Sequence, residues 1–365
     1  MKNIAVFFGG QSVEHEISVI TGVLTVNSLD KTGYRAVPVY VGTDGVRYTG
    51  DYLKDPDNYK AFDGKKVKRV TFIPGDNALY LLKGKKIKRY IEIAAAINCM
   101  HGERGEDGSL AGELKTLGIP LASPDILPSS VCMDKTFTKI AMKGIGVKTL
   151  PSVTVKSAGE AEKIKLPFTY PVIVKPACGG SSIGVKKAEN PEELVRAAAF
   201  ALRFGERAVI EPCITEMTEI NCAAYRTGDK IMVSECEKPF TSGAFLSFTD
   251  KYVKGKREFP ADIPQKISER IKKTTAVVYD KLGLSGVIRI DYFLVGENVF
   301  LNEVNTVPGS LAYYLFSDSL KGFTEMLTRL ITECERKAAA KITEIRTFKS
   351  GILCGLGSKN GSKRL

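Results

Sequence analysis

The segment Arg289–Gly309, R-I-D-Y-F-L-V-G-E-N-V-F-L-N-E-V-N-T-V-P-G, carries the side chains of greatest chemical reach in this chain. Asp291, Glu303 and Asn305 are hard oxygen donors of the kind Mg²⁺ takes, an ion that keeps coordination positions open for phosphate oxygens. Arg289 adds a rigid donor fork suited to a phosphate or a developing oxyanion. Upstream, Pro171–Gly184 reads P-V-I-V-K-P-A-C-G-G-S-S-I-G, so an apolar run delivers Lys175 directly into a loop of glycines and two serines, Ser181 and Ser182. Glycines let backbone N–H groups wrap phosphate oxygens, and the lysine adds a point charge. No G-K-[ST] closes the loop, so it is not a Walker A motif. In V-I-E-P-C-I, Val209–Ile214, Glu211 interrupts an apolar strand, and Glu219 stands eight residues on. Such a strand can offer backbone groups to an adenine edge and a carboxylate to ribose hydroxyls. Each fragment also has an ordinary reading: a solvated acidic sheet face, a surface hairpin, a strand with an exposed Glu.

The elements that must position these groups follow from hydrophobic periodicity. Val287–Val295 and Val299–Val304 flank a Gly296-Glu297-Asn298 turn and predict a β-hairpin. Residues two apart share a face, so Glu303 and Asn305 project together, with Asp291 across from them. The N-terminal part alternates strands (Ile4–Phe8, Ala36–Val41) with a helix, and H-G-E-R-G-E-D-G (His101–Gly108) follows an apolar run, which predicts an open α/β sheet with loops at strand ends. Gly9-Gly10 raises a dinucleotide fold, but the G-x-G-x-x-G spacing is absent. Asp134 caps a predicted helix Lys135–Lys143, and Asn190-Pro191-Glu192-Glu193 opens another. Strands are expected at Ser152–Val155, Pro171–Lys175, Ala208–Glu211 and Ile220–Ala224. Helices are expected over Gln265–Leu282 and Gly322–Lys337, the second with an apolar stripe of Phe323, Met326, Leu327, Leu330, Ile331 and Cys334. The divisions expected are 1–124, 125–215 and 216–346, with a frayed tail over 347–365.

Length and composition narrow the class. A chain of 365 residues with 44% hydrophobic and 26% charged residues is a globular protein of two or three domains. No apolar run is long enough for a membrane span, and the N-terminal apolar stretch is too short for a signal-peptide core, so a cytoplasmic protein is expected. Eight cysteines lie scattered without a C-x-x-C pair, which suggests reduced thiols rather than a zinc site or disulfide framework. The formal charge of +12 comes largely from two lysine-rich turns, G-K-K-V-K-R and K-G-K-K-I-K-R, and from the tail. Stacking aromatics do not interleave with these lysines, so a solvated basic face is expected rather than a nucleic-acid site.

Taken together, Lys135, the Lys175–Gly184 loop, Glu211 and Glu219, and the Asp291/Glu303/Asn305 set stand in the order and spacing of ATP-grasp enzymes. With G-G-Q-S-V-E-H-E-I-S (Gly9–Ser18), H-G-E-R-G-E-D-G and N-E-V-N-T-V-P-G (Asn302–Gly309), the chain resembles the D-alanine–D-alanine ligase family over about residues 3–340. The resemblance implies an α/β, three-part ATP-grasp architecture with an N-terminal open α/β domain. It implies ATP as substrate, with Lys135 and Lys175 on its phosphates and Ser181 and Ser182 in a mobile loop above them. Glu211 and Ile214 would hold adenine and Glu219 the ribose. Asp291, Glu303 and Asn305 would bind two Mg²⁺ ions, with Mn²⁺ as the substitute. Arg289 and the Gly309 N–H would stabilise a tetrahedral intermediate. Glu14 would take the ammonium of the first amino acid, with His101 nearby, and Glu14, Ser181 and Tyr252 would form a hydrogen-bonded trio beside Lys251 that closes the site. The glycines of Cys178-Gly179-Gly180 and the Ser242–Gly255 segment would act as lids. D-alanine is the implied partner, in a homodimer without nucleic acid or membrane.

One stretch departs from the family pattern. After Gly309 the chain reads S-L-A-Y-Y-L-F, and Tyr314 and Leu315 fall where many members place small hydroxyl residues for the second substrate's carboxylate, with Ser310 as a substitute. The departure bears on the acceptor more than on the reaction. Rival readings are a ligase with another acceptor, such as D-serine, and an ATP-binding relative without catalysis. The intact Asp291/Glu303/Asn305 set and Arg289 argue against the latter.

Overall fold

The computed structural model describes residues 1–239, 257–340, 345, 347, 348, 350 and 351. Its first sheet has seven strands in the order β6-β5-β4-β3-β2-β1-β7: β1 (Lys2–Gly9), β2 (Tyr34–Val41), β3 (Arg47–Thr49), β4 (Lys68–Phe72), β5 (Ala78–Lys83), β6 (Lys86–Glu92) and β7 (Ala95–Asn98). Only β1 pairs in parallel, with β2 and β7. The lysine-rich half is antiparallel, and its edge strand β6 is exposed along nearly its whole length. Charged side chains on such an edge, here Lys86, Lys88 and Arg89, discourage pairing with another chain. The wholly apolar run Ile4–Phe8 is completely buried, as a strand covered on both faces must be. Helices α1 (His15–Ser28) and α2 (Ser109–Thr116) start immediately after the loops that follow β1 and β7.

Helices α3 (Ile126–Met133) and α4 (Lys135–Gly144) lead into a second sheet of order β10-β9-β11-β8, formed by β8 (Val153–Val155), β9 (Val172–Pro176), β10 (Lys186–Ala188) and β11 (Ala208–Pro212), with α5 (Ala158–Lys163) and α6 (Pro191–Ala201) packed on it. The expected caps form: Asp134 accepts from Thr136 and Phe137 N–H, while Asn190 accepts from Glu193 N–H at 2.9 Å and Glu193 accepts in return from Glu189 N–H at 2.8 Å.

The third sheet, order β13-β12-β16-β17, contains β12 (Thr218–Thr227), β13 (Lys230–Val233), β16 (Val287–Val295) and β17 (Asn298–Asn305); a short pair, β14 (Lys238–Pro239) and β15 (Arg257–Glu258), stands beside it. Helices α7 (Gln265–Lys281) and α8 (Leu320–Ala340) complete the described fold. The predicted stripe of α8 is buried, but it does not serve the third sheet alone. Phe323, Leu327, Leu330 and Ile331 share one apolar cluster with Ile4, Phe8 and Val23 of the first part and with Ala223 and Val287 of the third. The two ends of the chain are therefore joined through one core, and the loops after β1, β7 and β17 meet above it.

Candidate active site

Two adjoining clefts hold most of the predicted groups. The larger is lined by Leu150, Ile173, Ile214, Met217 and Phe293 on its apolar side and by Lys135, Lys175, Ser182, Glu211, Glu219, Asp291 and Glu303 on its polar side. The smaller is lined by Glu14, His101, Glu106, Arg289, Asn305 and Gly309, among others. Lys135, Gly179, Gly180, Ser181 and Glu303 line both, so they form the passage between them.

The β16–β17 hairpin builds the passage floor as the sequence predicts. Asp291 and Glu303 are register partners, and Arg289 pairs with Asn305. Arg289 grips Asp291 with two bonds, Nε at 2.7 Å and Nη2 at 2.9 Å, and Asn305 Nδ2 donates to Asp291 Oδ2 at 3.1 Å. Burial opposes the Arg289 charge, but Asp291 more than offsets it and raises the guanidinium's affinity for its proton. Among the described residues no three His, Cys, Asp or Glu side chains cluster closely enough to hold a metal. A cation site here therefore needs the Asn305 amide oxygen beside the two carboxylates, with phosphate oxygens completing it. That donor set is all oxygen and fits Mg²⁺, and an entering ion would exchange the bonds Asp291 now makes.

The Glu211 side chain is not the exposed strand carboxylate of the ordinary reading: it is 3% exposed and lies between two lysines, Lys139 Nζ at 2.6 Å and Lys175 Nζ at 2.7 Å. Burial raises its pKa, yet the two ammonium groups outweigh burial and hold it below the usual range. Lys175 also donates to Asn302 Oδ1 at 3.3 Å. Glu211 thus orients Lys175 with its side chain, and the expectation that this strand offers backbone groups to an adenine edge does not depend on that carboxylate. Lys139 was not singled out from the sequence, although it lies four residues after Lys135 on one helix face, a spacing that would have shown it.

In the smaller cleft, Glu14 is 7% exposed at the start of α1 and accepts the Ser181 hydroxyl. Close packing dictates the glycines around it: a Cβ on Gly102, whose φ is +72°, would lie 2.4 Å from Ser12 Oγ, and one on Gly180 would lie 3.1 Å from Glu14 Oε2. Ser181 and Ser182 themselves take left-handed φ values of 54° and 58°. Lys135 Nζ donates to the Gly179 carbonyl at 2.6 Å, tying the loop to α4. His101 is buried, and burial pushes its pKa down to about 4 against a backbone hydrogen bond to Val307. His15 lines neither cleft; it binds the Gly10 carbonyl at 2.7 Å and Tyr40 Oη at 3.1 Å.

Glu106 is a site residue that the sequence argument missed. It accepts from Gly102 N–H at 2.8 Å and Val307 N–H at 3.0 Å, stitching the loop after β7 to the loop after β17. Desolvation, helped by the charge of Glu14, pushes its pKa up to about 8. Its place in the same H-G-E-R-G-E-D-G loop as His101 was the available signal.

Not every predicted residue converges. Among the described residues the linings of both clefts omit Ser310, Tyr314 and Leu315. Leu315 is buried in the shared core, while Tyr314 lies under the Arg257 guanidinium, 4.4 Å from its ring centre, and also meets Arg289 at the edge of the smaller cleft. Lys251, Tyr252 and the Ser242–Gly255 segment fall outside the described residues.

Sequence profiles described as D-ala D-ala ligase N-terminus and D-ala D-ala ligase C-terminus match residues 3–124 and 141–333. A D-alanine–D-alanine ligase of Thermosipho melanesiensis is 34% identical over 357 residues, covering 95% of this chain and 98% of the other. Among solved structures, a D-alanine–D-alanine ligase of Helicobacter pylori has TM-score 0.76 at 29% identity, covering 91% of this chain and 98% of that one. A D-Ala:D-Ser ligase of Enterococcus faecalis has TM-score 0.79 at 28% identity, covering 91% and 99%.

Proposed function

The chain belongs to the D-alanine–D-alanine ligase family, and from that premise we infer that it is an ATP-dependent ligase that joins two D-alanine molecules for peptidoglycan synthesis. The observation that carries the reading is the passage between the clefts, where Lys135, Ser181 and Glu303 face both sides. A nucleotide in the larger cleft would present its terminal phosphate there, and an amino acid in the smaller one would present its carboxylate.

The carboxylate oxygen of the first D-alanine attacks the γ-phosphorus and the bond to the ADP oxygen breaks. The amine of the second D-alanine, after losing a proton, attacks the acyl phosphate carbon, and phosphate leaves as the amide forms. Phosphoryl transfer depends on positioning and charge neutralisation more than on covalent chemistry. Lys135 and Lys175 neutralise phosphate oxygens, Glu211 keeps Lys175 aimed, and Glu219 and the Ile214 backbone hold the nucleoside. Glu14 receives the first ammonium beside His101. Arg289 and the Gly309 N–H face the oxyanion of the second step. Mg²⁺ held by Asp291, Glu303 and Asn305 would add charge neutralisation at the phosphates, as two ions by family analogy. Because an acyl phosphate hydrolyses, the Ser181 loop must exclude water from the passage.

The proposal extends to a cytoplasmic homodimer; in support of the first term, no helix among the described residues is long and apolar enough to cross a membrane. D-serine as acceptor is the second reading, favoured by the likeness to the D-Ala:D-Ser ligase of Enterococcus faecalis. Phosphate release with ATP and Mg²⁺ across single and paired D- and L-amino acids, with product masses recorded, tests both. D-alanine alone should give D-alanyl-D-alanine; turnover only with a mixed pair would move the acceptor, and no turnover with any pair would overturn the reading.

A further inference from the structure

Thr21 sits in the middle of α1 and is 1% exposed. A threonine inside a helix ordinarily returns its hydroxyl to the carbonyl four residues back, as Thr25 does to Thr21 O at 2.8 Å. Thr21 does otherwise. Its Oγ1 lies 2.9 Å from His101 Nε2 and accepts the Ser310 N–H at 3.0 Å. One buried hydroxyl therefore joins three segments: α1, the loop after β7 and the loop after β17.

The proton directions follow from the partners. The Ser310 N–H can only donate, so Thr21 Oγ1 accepts there and has its own hydrogen to give. Among the described residues, His101 Nε2 is the hydrogen-bond partner of Thr21 Oγ1 able to take that hydrogen, so a neutral imidazole that accepts it at Nε2 carries its one N–H on Nδ1.

The Ser310 end is equally constrained. Ser310, Leu311 and Ala312 have φ values of 50°, 51° and 48° with ψ between 23° and 29°, three successive L-residues in the left-handed region. Glycine normally relieves such sites, and none stands here, so the surroundings must over-determine the conformation. The Leu311 N–H to Pro308 O bond at 2.8 Å closes the turn, burial of Leu311 and Ala312 anchors its side chains, and the Thr21 bond fixes its first amide.

We propose that Thr21 is a positioning residue for the ligase reaction: its hydroxyl sets the His101 tautomer with Nε2 as acceptor and pins the left-handed Ser310–Ala312 turn, so that His101 and the Gly309 N–H are held in one fixed arrangement. The proposal rests on the smaller cleft being the amino-acid site. Thr21→Val keeps the shape and removes the hydroxyl; Thr21→Ser keeps the hydroxyl.

The test pairs kinetics with ¹⁵N-histidine NMR of the ligand-free full chain. His15 and His101 are the only histidines, so a His15→Asn variant assigns the second ring. The wild type and Thr21→Ser should show His101 protonated at Nδ1 alone, and Thr21→Val should show a changed or mixed tautomer. Thr21→Val should lower kcat/KM for D-alanine about tenfold with the KM for ATP unchanged, the scale of one buried hydrogen bond, and Thr21→Ser should stay within about twofold of wild type. A wild-type His101 protonated at Nε2 would overturn the proposal, as would Thr21→Val with wild-type tautomer and kinetics. If Thr21→Val does not fold, the wild-type tautomer and Thr21→Ser kinetics still decide. An enzyme inactive on D-alanine would fail the functional reading, while the tautomer measurement would judge Thr21 separately.

Discussion

Ser181 donates its hydroxyl to Glu14 Oε1 across 167 residues of sequence, joining the glycine-rich loop after β9 to the first turn of α1. The loop that lines both clefts is thereby latched to a residue that lines the smaller one. Ser181→Ala removes a hydrogen bond to a charged group, worth about 2 kcal/mol. The expected result is a roughly 30-fold lower kcat/KM for D-alanine. Steady-state kinetics that leave kcat/KM unchanged would show that the latch contributes nothing to turnover.

Glu303 faces both clefts and pairs in register with Asp291. Glu303→Ala should reduce amino-acid-dependent ATP hydrolysis by at least about 10²-fold, the scale of removing one charge-stabilising group. The Mg²⁺ concentration for half-maximal rate should rise in Glu303→Asp. Wild-type turnover and metal dependence in both variants would remove the metal assignment.

Glu211 lies between Lys139 and Lys175, and all three side chains are 10% exposed or less. Glu211→Gln leaves two buried ammonium groups without their counter-charge, and breaking such an arrangement costs about 3–5 kcal/mol. Adding Lys139→Met should recover part of the loss, because it deletes one uncompensated charge. Denaturant unfolding checks both, and equal stabilities for wild type and Glu211→Gln would contradict the structural role assigned to this residue.

His101 predicts an acid limb of stability. Its folded pKa of about 4 lies below the 6.5 of an ordinary imidazole. The unfolded chain therefore takes up the proton first as pH falls. The contribution is present above pH 6.5 and is lost progressively towards pH 4; its full size is roughly 3 kcal/mol. His101→Gln should flatten this limb of the stability–pH curve. An unchanged slope between these values would mean that the imidazole is not held neutral by burial.

What could be read from the sequence, and what could not, divides along local and tertiary lines. The β16–β17 hairpin and its Asp291/Glu303/Asn305 face followed from period-2 alternation around a Gly-Glu-Asn turn, and the α8 stripe from helical spacing. Both are properties of neighbouring residues. The ion pairs of Glu211 were not legible, because alternation says which face a strand residue takes but not that two lysines wait across it. Thr21 could not be found at all, since its partners lie 80 and 289 residues away. The Ser310–Ala312 turn was equally hidden: S-L-A contains no glycine to announce a left-handed backbone, and packing imposes it. In the stretch S-L-A-Y-Y-L-F, packing sets Tyr314 under Arg257 and against Arg289 and Leu315 in the core, which spacing along the chain does not show.

The central claim is that phosphoryl transfer to the D-alanine carboxylate precedes amide formation in the passage between the clefts. D-alanine carrying ¹⁸O in its carboxylate, incubated with unlabelled ATP and Mg²⁺, tests it directly. The predicted result is D-alanyl-D-alanine together with inorganic phosphate containing one ¹⁸O atom per amide bond formed, because the carboxylate oxygen departs with the phosphoryl group. Phosphate without ¹⁸O alongside the dipeptide would contradict an acyl phosphate route.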